Sequence, residues 1–90
     1  MVYATGIKTE LGNRILRSLV DAGWRLDYAY PDDMVDKGLD YDKYRISNAA
    51  ERIEFEWDNW EEWQIRGTPS AMRQMCQQFG IESHSDPSTK

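Results

Sequence analysis

Carboxylates dominate the residues that could do chemistry in this sequence. The stretch IEFEWDNWEEWQI, residues 53 to 65, holds Glu54, Glu56, Asp58, Glu61 and Glu62 beside Trp57, Trp60 and Trp63, with no lysine or arginine among them. Paired carboxylates serve as general acid and base when their surroundings push their pKa values apart. Nothing here completes such a set. His84 stands near the C-terminal end, and Ser18, Ser47 and Ser70 have no recognisable nucleophile setting. No catalytic residue and no cofactor is assigned, and the pattern predicts binding instead of catalysis.

Two further groups of residues invite a metal or redox reading. Asp32, Asp33, Asp36, Asp40 and Asp42 offer the oxygen ligands that calcium or magnesium takes, and they are the basis of an alternative function, a divalent-metal-binding loop. Their spacing lacks the glycine and glutamate positions of an EF-hand loop, and Lys37 and Lys43 are interspersed, so no metal ligand is assigned. The single cysteine, Cys76, has no partner for an internal disulfide. At helical spacing with Met72, Met75 and Phe79 it reads as core.

Charge is unevenly spread. Residues 27 to 62 hold twelve acids against four bases, a balance of −8, while the remaining residues, with seven bases and four acids, carry +3. A polarised surface of this kind repels nucleic acid on one side and attracts a basic protein partner. Nucleic-acid binding survives only as a further alternative, on the less acidic side through Arg14, Arg17 and Arg25. No run approaches the roughly 18 apolar residues that span a bilayer, and MVYATGIKTE lacks the regions of a signal peptide, which predicts a cytoplasmic protein without membrane contact.

The elements that must position these residues follow from periodicity. Leu11, Ile15, Leu16, Leu19 and Val20 recur at the spacing of one helix face, so residues 9 to 22 read as a helix stopped by Gly23, with Gly12 marking a close contact. Trp24, Leu26, Tyr28 and Tyr30 alternate with polar neighbours as in a half-buried strand ended by Pro31. About twenty residues of mixed turn formers and charges then read as a long irregular connection, anchored by Tyr41 and Tyr44. The clearest helix begins at Thr68 as cap with Pro69 in its first turn, and ends at Gly80 in a left-handed cap. Residues 1–81 are expected to form one globular domain, with 82–90 a flexible tail.

These elements predict an α+β two-layer sandwich, a three-stranded antiparallel sheet with two helices on one face in the order α-β-β-β-α. That order is similar to the one in double-stranded RNA binding domains. Those domains use lysine-rich phosphate contacts, whereas the last helix here opens TPSAMRQMC with a single arginine.

Within the hairpin, a three-residue turn over Asp58, Asn59 and Trp60 places Ile53, Phe55, Trp57, Trp63 and Ile65 on one buried face. It also sets Phe55 across from Trp63, Arg52 across from Arg66 and Glu56 across from Glu62. Opposed like charges destabilise a strand pair by up to about 1 kcal/mol. The functional expectation is a small interaction or regulatory domain that binds a basic protein partner through Glu54, Glu56, Asp58, Trp60, Glu61 and Glu62. Self-association through a sheet edge or the outer face is the other partnership expected.

Overall fold

A computed structural model describes residues 2–31, 33 and 41–85. The apolar repeat of the first helix, α1 (Thr9–Asp21), buries Ile15 and Leu19 and lays Leu11 and Leu16 against them. Gly23, at φ 111°, then turns the chain out. In α2 (Pro69–Phe79) the buried stripe is Ala71, Met72, Met75 and Cys76. Gly80 closes it at φ 68°, and the Ile81 N–H donates to the Cys76 carbonyl at 3.1 Å. Both helix boundaries follow the periodicity of the sequence. The Thr68 hydroxyl departs from expectation: it makes no cap bond to its own helix and donates to Glu51.

The strands are β1 (Val2–Ile7), β2 (Arg25–Ala29), β3 (Tyr41–Asn48), β4 (Glu51–Asp58), β5 (Glu62–Gly67) and the two-residue β6 (His84–Ser85). They form one sheet in the order β2-β3-β4-β5-β1-β6, with every neighbouring pair antiparallel. The α+β class stands, but the three-stranded sheet and the order α-β-β-β-α are corrected. The likeness of order to double-stranded RNA binding domains lapses with them. Strand alternation across this sheet makes β1 and β2 parallel, and α1 is the crossover that carries the chain from one to the other.

Two long strands, β1 and β3, and the short β6 were missing from the periodicity for physical reasons. β3 has only Tyr44 and Ile46 as large inward residues, framed by Asp42, Lys43 and Arg45, so its sequence looks like a charged loop. It nonetheless pairs with β4 along eight consecutive positions, from Tyr41 with Asp58 to Asn48 with Glu51. In β1 the buried Ala4 is small, and an irregularity between Ala4 and Ile7, with Gly6 at φ 66°, breaks the alternation. β2 has a similar break between Leu26 and Tyr28, which turns Tyr28 toward Arg45 instead of the core. His84 and Ser85 pair with Tyr3 and Val2, a contact that the composition of the last residues did not signal.

One core joins the two layers. Ile46, Ile53, Phe55, Trp63 and Ile65 from the sheet meet Ile15, Leu19, Met72 and Met75 from the helices. Each large side chain buried in this way contributes about 1.5 to 3 kcal/mol. Among the described residues no helix is long and apolar enough to cross a membrane.

The tightest interlayer contact is at Gly12. A Cβ built there would lie 2.1 Å from Trp63 Cδ1, and the indole, 3% exposed, has nowhere to retreat. Replacing Gly12 by alanine brings a helix-propensity gain of about 1 kcal/mol. Forcing the ring aside costs about 1 to 3 kcal/mol or more. At 2.1 Å the upper end of that cost applies, so Gly12→Ala is expected to destabilise the fold by a net of about 2 kcal/mol in urea unfolding, against the sign that propensity alone dictates.

Candidate functional site

The hairpin of β4 and β5 keeps the expected buried face but not the expected pairing. Asp58 pairs with Glu62, Trp57 with Trp63, Glu56 with Gln64, Phe55 with Ile65 and Glu54 with Arg66. The register is shifted by two residues from the one that the three-residue turn dictates. A shift of two leaves every side chain on the same face, so Ile53, Phe55, Trp63 and Ile65 are still buried, and Trp57 still packs against the core. The expected clashes of Arg52 with Arg66 and of Glu56 with Glu62 do not occur.

A short set of bonds explains this register. The Asp58 carboxylate accepts the backbone N–H groups of Trp60 at 2.9 Å and Glu61 at 2.7 Å, closing the turn from within. Glu62 then takes a left-handed conformation, φ 62°, and leaves the alternation of the strand. Its Oε2 accepts both the Thr9 N–H at 2.5 Å and the Thr9 hydroxyl at 3.0 Å, at the first turn of α1. The same hydroxyl accepts the Trp57 indole N–H at 2.9 Å, and Trp63 donates its own to Asn13 Oδ1 at 3.1 Å. Thr9 and Asn13 are four apart, so they share one edge of α1. That polar pair beside an apolar stripe was the legible sign of the contact.

Glu51 does for α2 what Glu62 does for α1. Its carboxylate accepts hydroxyl bonds from Thr68 and from Ser70, the latter at 2.7 Å, at the N-terminus of α2. The unpaired N–H groups and dipole of a helix start favour negative charge there. These bonds, that of Thr68 first, hold the Glu51 carboxyl below its ordinary range, helped by the Ala71 N–H and opposed by desolvation.

The outer face of the sheet, away from the helices, carries the other acids among bases. Glu54 sits between Arg45 on β3 and Arg66 on β5, and Glu56 sits opposite Lys43. Glu56 also accepts the Tyr41 hydroxyl at 2.8 Å and pairs with Arg66 at 3.3 Å. Desolvation, with Glu56 alongside, pushes the Tyr41 phenol up to about 12. Exposed pairs such as Glu56 with Arg66 are worth at most about 1 kcal/mol each. They nevertheless leave the glutamates of β4 flanked by positive charge.

Of the six predicted site residues, then, Glu62 is committed to α1, Asp58 to the turn, and Glu54 and Glu56 to a mixed-charge surface. Trp60 and Glu61 remain free of such roles. Trp60 stands at the hairpin tip with 82% of its surface exposed, and Glu61 beside it is exposed. Of the aspartates considered for a metal, Asp32, Asp36 and Asp40 lie outside the described residues, while Asp42 is on β3. Among the described residues no group of three acids, histidines or cysteines is placed to hold a metal ion. Arg14 and Arg17 lie on the exposed side of α1, in the helical layer, whereas Arg25 lies in β2. Arg25 donates to Asp27 at 2.7 Å and, more weakly, to Ser47 at 3.4 Å.

Comparison with models of protein families, with curated proteins and with solved structures finds no match to this chain.

Three measurements check the capping roles. Replacing Glu62 by alanine strands the Thr9 N–H and is expected to cost about 1 to 2 kcal/mol in urea unfolding, the size of a lost helix cap. Because the folded pKa of Glu51 is depressed, its contribution is present above the unfolded value, near 4.5, and is lost as pH falls through the folded value. Carboxyl NMR should find Glu51 titrating below 4.5, and Glu51→Gln should flatten the loss of stability on acidification.

Proposed function

We propose that this chain is a small interaction domain that binds a basic protein partner at the tip of the β4–β5 hairpin. Trp60 is the anchor, Glu61 the adjoining free charge, and Asp58 and Glu62 the residues that hold the tip in shape. The glutamates of β4, Glu54 and Glu56, form the more distant, partly neutralised flank of the surface.

The observation that supports this reading is the 82% exposure of Trp60 on a turn fixed by two backbone bonds to Asp58. Tryptophan at the centre of a contact is among the residues that contribute most to binding. A rigid turn loses little further freedom when it is covered. An indole that already stands in water costs nothing to expose and contributes its whole apolar surface when a partner closes over it. Glu61 and its acidic neighbours add preference for a cationic partner and faster association.

Affinity capture followed by mass spectrometry, with wild type, Trp60→Ala and Glu61→Lys in parallel, tests the proposal. A partner held by the wild type should be lost by at least tenfold with Trp60→Ala and weakened with Glu61→Lys. Both variants should keep a native amide spectrum, since neither side chain is in the core. Partners retained equally by all three proteins would end this reading.

A further inference from the structure

The outer face has a second, oppositely charged region at the far end of the strands from Trp60. In one cross-strand row Arg25 on β2, Ser47 on β3 and Arg52 on β4 are neighbours in register. Arg45, two residues before Ser47, emerges on the same face. With Asp27 and Ala49 these residues line a concavity of about 270 Å³. Three arginines and one aspartate line it, with Glu54 across from Arg45 at its border, in a chain whose net charge is −5.

The arginines are held in different ways. Arg25 donates its Nε–H to Asp27. Arg45 lies over the Tyr28 ring, its Cζ 5.2 Å from the centroid, a cation–π contact that fixes the side chain without consuming its N–H donors. The Arg52 side chain, among the described residues, has no hydrogen bond or ion pair. Ser47, 7% exposed, forms the polar floor. Strands two apart in a sheet are roughly 10 Å apart, so long side chains from β2 and β4 can close on a small ion above β3. Guanidinium groups bind tetrahedral oxyanions through paired N–H donors. The Ser47 hydroxyl and the Arg25 guanidinium hold the Asp27 carboxyl below its ordinary range, so it stays charged as the resident counterion.

We propose that the cleft formed by Arg25, Arg45, Ser47 and Arg52 is a binding site for a compact, doubly charged oxyanion, a phosphate group either free or esterified to a small molecule. It is separate from the hairpin tip and does not depend on the role proposed for Trp60. Arg52 supplies the uncommitted donors, Arg45 the second guanidinium, and Asp27 sets the affinity by repelling the ligand and competing for Arg25.

The test is an NMR titration of the 15N-labelled chain at pH 7.5 and constant ionic strength with inorganic phosphate, O-phosphoserine or acetate, following the backbone amides and arginine Nε–H signals. Phosphate or O-phosphoserine should give saturable shifts centred on residues 25, 45, 47 and 52, and acetate should not. The tighter of the two phosphates tells whether the site takes the free or the esterified group. Arg52→Gln should weaken binding about tenfold, the loss of one charge-assisted contact. Asp27→Asn should tighten it severalfold, a gain that a poorly folded variant cannot imitate. Shifts that never saturate, that acetate reproduces, or that are indifferent to both substitutions would overturn the proposal.

Discussion

The register of β4 against β5 governs the rest of this molecule. With side chains alternating along each strand, the pairing of Trp57 with Trp63 aims both indoles toward the helical layer, where Thr9 and Asn13 accept their N–H groups. That places α1 over the hairpin at a fixed height, with Gly12 pressed against Trp63. Glu62, left-handed at the start of β5, reaches the first turn of the same helix. A buried indole N–H without an acceptor costs about 1 to 3 kcal/mol. The two tryptophans therefore fix the position of α1 more narrowly than an apolar contact of the same area would.

The density of acid in the hairpin region acquires a physical cause from these contacts. Glu51 begins β4 and serves α2, and Glu62 begins β5 and serves α1. Each helix thus receives negative charge at its positive end from the sheet beneath it, not from its own cap residue. Neither N-cap residue, Lys8 or Thr68, gives a side-chain bond to its own helix. Supplying the carboxylates from the strands makes helix initiation conditional on the sheet being in place, so the two layers stabilise each other.

Much of this was legible in the sequence, in proportion to how local its cause is. The helices declared themselves through three and four spacing and through Gly23, Pro69 and Gly80. The inward face of the hairpin was equally clear, but its register was not, because a shift of two residues preserves that face. What distinguished the registers were the bonds of Asp58 and Glu62, which depend on a turn conformation and a distant helix. β3 was concealed by its own charges. With that strand assigned to a loop, Lys43 and Arg45 had no visible relation to Glu56 and Glu54, and the glutamates looked uncompensated. The place of Trp60 at the tip was legible but its exposure was not, because a ring there can equally fold back onto the sheet; nor was the row of Arg25, Ser47 and Arg52, since it joins residues from three strands.

The pairing of β1 with β5 also gives the chain a timetable. Val2 lies beside Gly67, sixty-five positions later in the sequence, whereas β3, β4 and β5 are consecutive hairpins. Short loops close at less entropic cost than long ones, and contacts between distant residues slow folding. During synthesis β1 must therefore wait for β5, the last long strand of this sheet, before it can pair. Until then β5 presents an unpaired edge, the kind of surface on which another chain can add a strand. β1, made before the other strands of this sheet, is thus among the last of them to be secured, and in pairing it covers an edge on which another chain could otherwise add.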